Sequence, residues 1–225
     1  MRKIKTTRRA EIVDAALALA ADRGLEALSM RAVAASMGVT PMALYGYYRG
    51  KDDLLDAVAT RLLTLLPEPD PGLPGLDRLR AFAHGVRGLA GEYPAVFTLL
   101  FTRPASSGEA VRLADRLYQA LLDAEVPEAA AARLERLLTT FVFGFAVSEV
   151  SGRFDGGTRN MWARRGQLGP GELPAHHRLG RLLDPPVDWA AEFEADLDDV
   201  LHAVTTATHP AIPTQVVDDS WSLGD

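Results

Sequence analysis

The 225-residue chain contains no cysteine. A disulfide framework, a Cys-ligated zinc site and a thiol nucleophile are therefore excluded, and the composition fits a reducing compartment. Long hydrophobic runs are also missing. The strongest, residues 137–148, extends only 12 residues between Arg136 and Glu149, against the ~20 a membrane-spanning helix requires. Residues 200–217 are uncharged but include two His and two Pro. The basic start is followed by no apolar signal-peptide segment, so the chain reads as a soluble, cytoplasmic protein. No β-alternation or internal repeat is present. Catalytic signatures are lacking too: there is no Gly-x-Ser-x-Gly elbow, phosphate-cradling loop or His-Glu-x-x-His motif. Gly152 to Gly157 has no strand-turn-helix setting. His84, His202 and His209 are scattered, and the adjacent His176 and His177 cannot both point naturally into one site. No metal, cofactor or enzymatic activity is expected.

What is present is a charge asymmetry. Residues 1–51 carry nine Lys/Arg against four Asp/Glu, a net +5, while residues 52–225 carry 15 against 26, a net −11, giving −6 in all. A basic N-terminal quarter on an acidic body suggests local contact with a polyanion, since the whole chain would repel one. Five of the nine basic residues lie in Met1–Arg9, an arm of the kind that can enter a minor groove.

Hydrophobic periodicity predicts an all-α protein. A first helix spans residues 7–24, with Ile12, Ala16 and Leu19 on one face, Thr6 or Thr7 as its cap and Gly24 ending it. A second runs from a Ser29 cap to Met37 and ends at Gly38. Thr40-Pro41 starts a third, barely two turns long and reaching Tyr48. A connecting helix follows over residues 51–66, and the Pro/Gly-rich stretch 67–75 is the clearest linker. Further helices are predicted at about 76–91, 94–102, 107–124, 128–152 and 188–207. Residues 153–188 show little periodicity and read as a long connection, and the tail after residue 207 reads as loose. The domains read as a helix-turn-helix unit over 1–50 and a ligand-binding and dimerisation unit over 76–207.

Residues 29–48 form the informative constellation: helix, four-residue turn, short helix. In a helix-turn-helix the second helix lies in the major groove and offers its N-terminal residues to base edges. Here those are Thr40, Pro41, Met42 and Ala43, a hydroxyl and apolar groups suited to thymine methyls. The helix start also favours phosphate. Arg31 is within reach of phosphate or base, and Tyr45, Tyr47 and Lys51 are phosphate donors that fix register.

The series Ile12, Ala15-Ala16, Gly24, Ser29-Met30-Arg31, Ala34, Met37-Gly38-Val39-Thr40-Pro41, Leu44-Tyr45, Tyr48, Lys51-Asp52 and Leu54-Leu55 resembles the N-terminal domain of tetracycline-repressor-like (TetR) bacterial regulators. The resemblance covers about a quarter of the chain. It implies a homodimer that binds double-stranded operator DNA and is released by a small-molecule effector. It also places Thr40 to Ala43 at bases, Ser29, Tyr45, Tyr47 and Lys51 at phosphate, and Leu44 and Tyr48 mainly in the core. Two positions depart from the pattern: Tyr47 stands where many members have His, and Gly50 where Ser or Asn often caps the next helix.

Beyond residue 75 the match is one of general form. The helices at 128–152 and 188–207 have the broadest apolar faces, which points to an isologous interface through Leu138, Val142, Phe193, Leu197 and Leu201. Candidates for an apolar pocket are Phe82, His84, Tyr93, Phe97, Phe101, Tyr118, Phe141, Phe143, Phe145 and Trp162, with Phe97, Phe101, Phe141 and Phe145 ranked first. Two alternatives compete with the ligand-responsive reading: control by a protein partner at 153–188, and an α-helical enzyme with a vestigial DNA-binding domain.

Overall fold

The computed structural model describes residues 2–103, 107–154, 166–183 and 185–206, with side chains from residue 7 onward. Helix α1, Arg2–Arg23, begins several residues before the expected Thr cap. Nothing in Arg2-Lys-Ile-Lys-Thr-Thr breaks a helix, so the basic stretch read as an arm continues α1. Arg8 pairs with Glu11 at 2.7 Å. Arg9, though exposed, folds back on the residues after the third helix: Nη1 donates to the Tyr47 carbonyl at 2.8 Å, and its guanidinium lies 4.5 Å from the Tyr48 ring centroid.

A single 3₁₀ turn, Leu25–Ala27, leads to α2, Met30–Ser36, whose Ser29 Oγ accepts from the Ala32 N–H at 3.1 Å. The end of α2 is a Schellman motif: Val39 N–H reaches Ala34 O at 3.0 Å and Gly38 N–H reaches Ala35 O at 3.1 Å. Gly38 has φ +66°, a left-handed conformation that glycine adopts without steric cost. Helix α3, Pro41–Tyr45, is shorter than the expected helix to Tyr48, and the Thr40 side chain makes no capping bond. Helix α4, Lys51–Leu63, starts at Gly50 without a side-chain cap; Asp52 and Asp53 in its first turn oppose the helix dipole instead.

Helices α1 and α4 pack together, burying Ile12, Ala16, Leu54, Val58 and Leu62 to 0% exposure. The C-terminal body comprises α5 (Gly75–Glu92), α6 (Pro94–Phe97), α7 (Leu99–Thr102), α8 (Gly108–Asp123), α9 (Glu128–Val150), α10 (Pro174–Leu183) and α11 (Trp189–Thr206). Helices α5, α8 and α9 form the central trio, with α11 across α9 and α5. One core cluster runs from Ile12 to Val204. It is braced by a bidentate Arg87–Glu149 pair at 2.8 and 2.6 Å between α5 and α9. The same guanidinium lies 4.8 Å from the Phe193 ring centroid on α11.

Helix α10 corrects the reading of residues 153–188 as an unstructured connection. Leu179, Leu182 and Leu183 share a side of its three turns, though none of its residues is buried. Trp162 and residues 207–225 lie outside the described residues.

Gly75 is where α5 meets α8 at closest approach: a Cβ there would stand 2.2 Å from Ala120 O and 2.7 Å from Ala124 N, both backbone atoms. Gly75→Ala should therefore force the helices apart and cost about 1–3 kcal/mol. Thermal unfolding by circular dichroism should show a melting point lowered by several degrees; an unchanged one would mean the helices do not approach this closely.

Candidate functional site

Two candidate sites emerge, one on the surface of the N-terminal unit and one inside the C-terminal body. In the first, α3 is fixed from behind. Leu44 is 1% exposed and Tyr48 2%, the core roles implied for them. The Tyr48 hydroxyl donates to Arg9 O at 3.1 Å, and burial pushes its pKa up. With those residues turned inward, the other side of α3 faces solvent. Thr40 and Ala43 are exposed, Met42 is 77% exposed and Tyr45 51%, while Pro41 and Tyr47 are half-buried. An exposed Met beside an exposed Tyr on so short a helix marks a contact surface rather than a fold requirement.

Around α3, Ser29 and Arg31 are exposed at the start of α2, and Lys51 at the start of α4. The Lys51 ammonium reaches Leu25 O only at 3.5 Å, so it keeps donors for an anion. The start of α3 suits phosphate less than expected: Pro41 has no N–H, and the Ala43 N–H is used on Thr40 O at 3.0 Å.

The second site is a cavity of about 660 Å³, partly open to solvent, lined by α4, α7, α8 and α9. Helix α4 supplies Asp56, Ala59, Thr60 and Leu63, α7 supplies Leu99 to Phe101, α8 supplies Ala110, Val111, Leu113, Ala114, Asp115, Leu117 and Tyr118, and α9 supplies Glu135, Thr139, Thr140 and Phe143. Arg103, just after α7, also lines it. Its guanidinium donates to Asp56 Oδ1 at 2.7 Å, Asp52 Oδ1 at 2.9 Å and Asp52 O at 3.2 Å, all on α4.

Of the four aromatics ranked first for a pocket, only Phe101 lines this cavity. Phe97 is fully buried behind it, stacked on Phe143 at 5.9 Å. Phe141 and Phe145 belong to a separate cluster with Phe193, at centroid distances of 6.0 and 5.0 Å. Tyr118 and Phe143, from the wider set, do line the cavity. Sequence reasoning missed Glu135, Thr139 and Thr140, although a signal existed: Glu135 and Thr139 are four residues apart with Thr140 adjoining, polar side chains on one side of the most apolar helix described.

The residues expected at a dimer interface lie elsewhere as well. Leu138, Val142, Phe193 and Leu197 are 0% exposed and Leu201 5% within the single subunit. The apolar breadth of α9 and α11 is largely spent against each other and α5, so these five side chains present no surface to a partner. Among the described residues, no three His, Asp or Glu side chains are grouped to hold a metal. No described helix is long and apolar enough to cross a membrane.

A helix-turn-helix with an exposed second helix, carried on an all-α body with a cavity between its helices, defines a DNA-binding regulator. Residues 12–58 match the family of tetR-type bacterial regulatory proteins, and residues 79–165 match a tetracyclin repressor-like C-terminal domain. The two matches together span more than half of the chain, and the chain belongs to the TetR family of transcriptional regulators.

Among relatives, it is 25% identical over 195 residues to an HTH-type transcriptional regulator of Saccharopolyspora erythraea, covering 82% of this chain and 78% of that one. It is 38% identical over 95 residues to the HTH-type transcriptional repressor DrrR1 of Streptomyces coeruleorubidus, 41% of this chain and 35% of that one. Among solved structures, the TetR-family protein ActR of Streptomyces coelicolor in complex with (S)-DNPA superposes with TM-score 0.75 at 23% identity, covering 88% of this chain and 97% of that one.

Two substitutions separate positioning from reading at the DNA surface. Lys51→Ala should weaken binding about equally on every sequence and lower the salt slope by roughly one unit. Met42→Ala should instead alter preference at one base pair per half-site by about 1–3 kcal/mol. A selection from random DNA, run on both variants, checks the pair; swapped behaviour would reverse the two assignments.

Proposed function

We propose that this protein is a homodimeric repressor that leaves its operator when a small molecule fills the cavity between α4, α7, α8 and α9. The observation that carries the reading is the double use of α4. One face of this helix packs on α1 and so holds the DNA-binding unit, and another forms a cavity wall. A ligand that displaces the wall therefore acts on the helix that sets the position of α3. Repression and ligand response are further supported by a repressor among the relatives and by the ligand-bound ActR structure of the same fold.

The mechanism is a shift of population. A ligand releases DNA only if it binds the DNA-incompetent arrangement more tightly, and coupling of this kind is typically about 1–3 kcal/mol. Arg103 is the restraint it works against. Arg103 ties α7 to Asp52 and Asp56 of α4, and in the dimer this holds two copies of α3 about 34–36 Å apart, the spacing of successive major grooves. Thr40, Pro41, Met42 and Ala43 face bases; Ser29, Arg31, Tyr45, Tyr47 and Lys51 hold phosphates.

The second subunit docks on the outward stripe of α9, Leu137, Phe141, Gly144 and Ser148, beside Ala191 and Ala195 of α11. Leu137 is 42% exposed and a Cβ at Gly144 would meet nothing within 4 Å, which leaves room for close helix approach. The reading is of a binding protein without turnover, working in the cytoplasm where its operator lies.

The reading is tested by titrating the protein onto the DNA flanking its own gene across a salt series. Tight, salt-sensitive, sequence-selective binding by a dimer is expected, and absence of binding at low salt would overturn it. Arg103→Ala should weaken operator binding about fivefold, since solvent-facing ion pairs contribute up to about 1 kcal/mol. Unchanged affinity would remove Arg103 from the coupling.

A further inference from the structure

The charge inside the cavity narrows the chemistry of its ligand. Four of its lining residues ionise: Asp56, Arg103, Asp115 and Glu135. The one cation is fully engaged, since Arg103 already holds Asp56 and Asp52. The neighbouring arginines of α8 are engaged as well: Arg112 with Glu109, and Arg116 with Glu68 at 3.0 Å. That leaves Asp115 and Glu135 without a salt bridge among the described residues, Glu135 having only the exposed Arg136, next to it in the chain, to offset its charge.

Glu135 is half-buried in the wall, beside Thr139, and burial raises its pKa above the usual carboxylate range. Thr139 and Arg136 offset only part of that penalty, desolvation being the largest effect at this carboxyl, and an incoming positive charge recovers more of it. Apart from the hydroxyls of Thr60, Ser107, Thr139 and Thr140, the rest of the wall is apolar and aromatic. Phe143 lies one helical period beyond Thr139 on the Glu135 face of α9, braced by Phe97 and Phe82 at 5.9 and 6.3 Å. Tyr118 faces the cavity from α8, and Phe101 stands 54% exposed on α7, a large apolar ring left for a ligand to cover. Aromatic faces beside a carboxylate that has no salt bridge attract organic cations and disfavour organic anions.

We propose that the cavity takes a lipophilic organic cation, its positive charge set against Glu135 and its apolar body among Phe101, Tyr118 and Phe143. This rests on the reading of the cavity as the effector site and assigns the chemical class of the effector.

The test uses two ions of nearly equal size and shape and opposite charge, tetraphenylphosphonium and tetraphenylborate, titrated calorimetrically into the full-length protein without DNA. The phosphonium ion should bind with one site per subunit and the borate at least tenfold more weakly. Glu135→Gln, which keeps the side-chain shape, should weaken phosphonium binding about tenfold and leave borate binding level or stronger; Asp115→Asn, more exposed, should produce a smaller loss in the same direction. Circular dichroism melting confirms that both variants fold. Equal affinity for the two ions, preference for the borate, no phosphonium binding, or indifference to Glu135→Gln would each overturn the assignment. A parallel operator-release assay keeps the two readings apart. Phosphonium binding that depends on Glu135 but leaves DNA bound would sustain the ligand class and refute the effector role of the cavity. Release by anionic but not cationic compounds would do the reverse.

Discussion

The arrangement depends on a helix held from two sides. Leu54, Val58 and Leu62 of α4 are buried to 0% exposure in the core cluster that includes Ile12 and Ala16 of α1. At the same helix, Asp52 and Asp56 are gripped by a single guanidinium from the end of α7. The first attachment is hydrophobic and extensive, so α4 moves with the DNA-binding unit. The second consists of charge-assisted hydrogen bonds at a partly exposed site, each worth far less. That imbalance suits a switch. The strong contact transmits motion, and the weak one can be broken by a ligand whose differential affinity is only a few kcal/mol.

Helix α9 shows how one element serves several tasks without an internal break. Its buried side, Leu134, Leu138 and Val142, makes the subunit core. A second stripe, Glu135, Thr139 and Phe143, faces the cavity, and a third, Leu137, Phe141, Gly144 and Ser148, is the one proposed to meet the second subunit. A helix used on three sides has nearly continuous apolar character, which is why residues 137–148 look so hydrophobic while being too short for a membrane. Each stripe demands different chemistry. The core needs shape, the cavity needs a few polar groups, and the outward side needs small residues among large ones.

The helix-turn-helix was legible because its signals are local. Ser29 caps α2, Gly38 supplies the left-handed residue of a Schellman turn, and Pro41 starts α3, and each rule acts within a few residues. The order of helices over residues 7–150 was readable for the same reason. The cavity was not. Ranking aromatics by type put Phe97, Phe141 and Phe145 forward, yet which side of a buried helix meets empty space is set by the packing of α8 and α7 against it. The five presumed interface residues failed similarly, because an apolar stripe does not say whether its partner is in the same subunit. Helix α10 was overlooked because glycine and proline on either side of a short amphipathic segment mask its periodicity.

In the proposed dimer, the spacing of the two recognition helices is fixed by α4 through Arg103. Because the chain has no cysteine, Ala35→Cys on the exposed surface of α2 introduces a unique site for a spin label. Electron–electron double resonance then reads the distance between the two subunits directly. A narrow distribution in the labelled protein that broadens or shifts when Arg103→Ala is added is the predicted result. An identical distribution in both proteins would contradict the account.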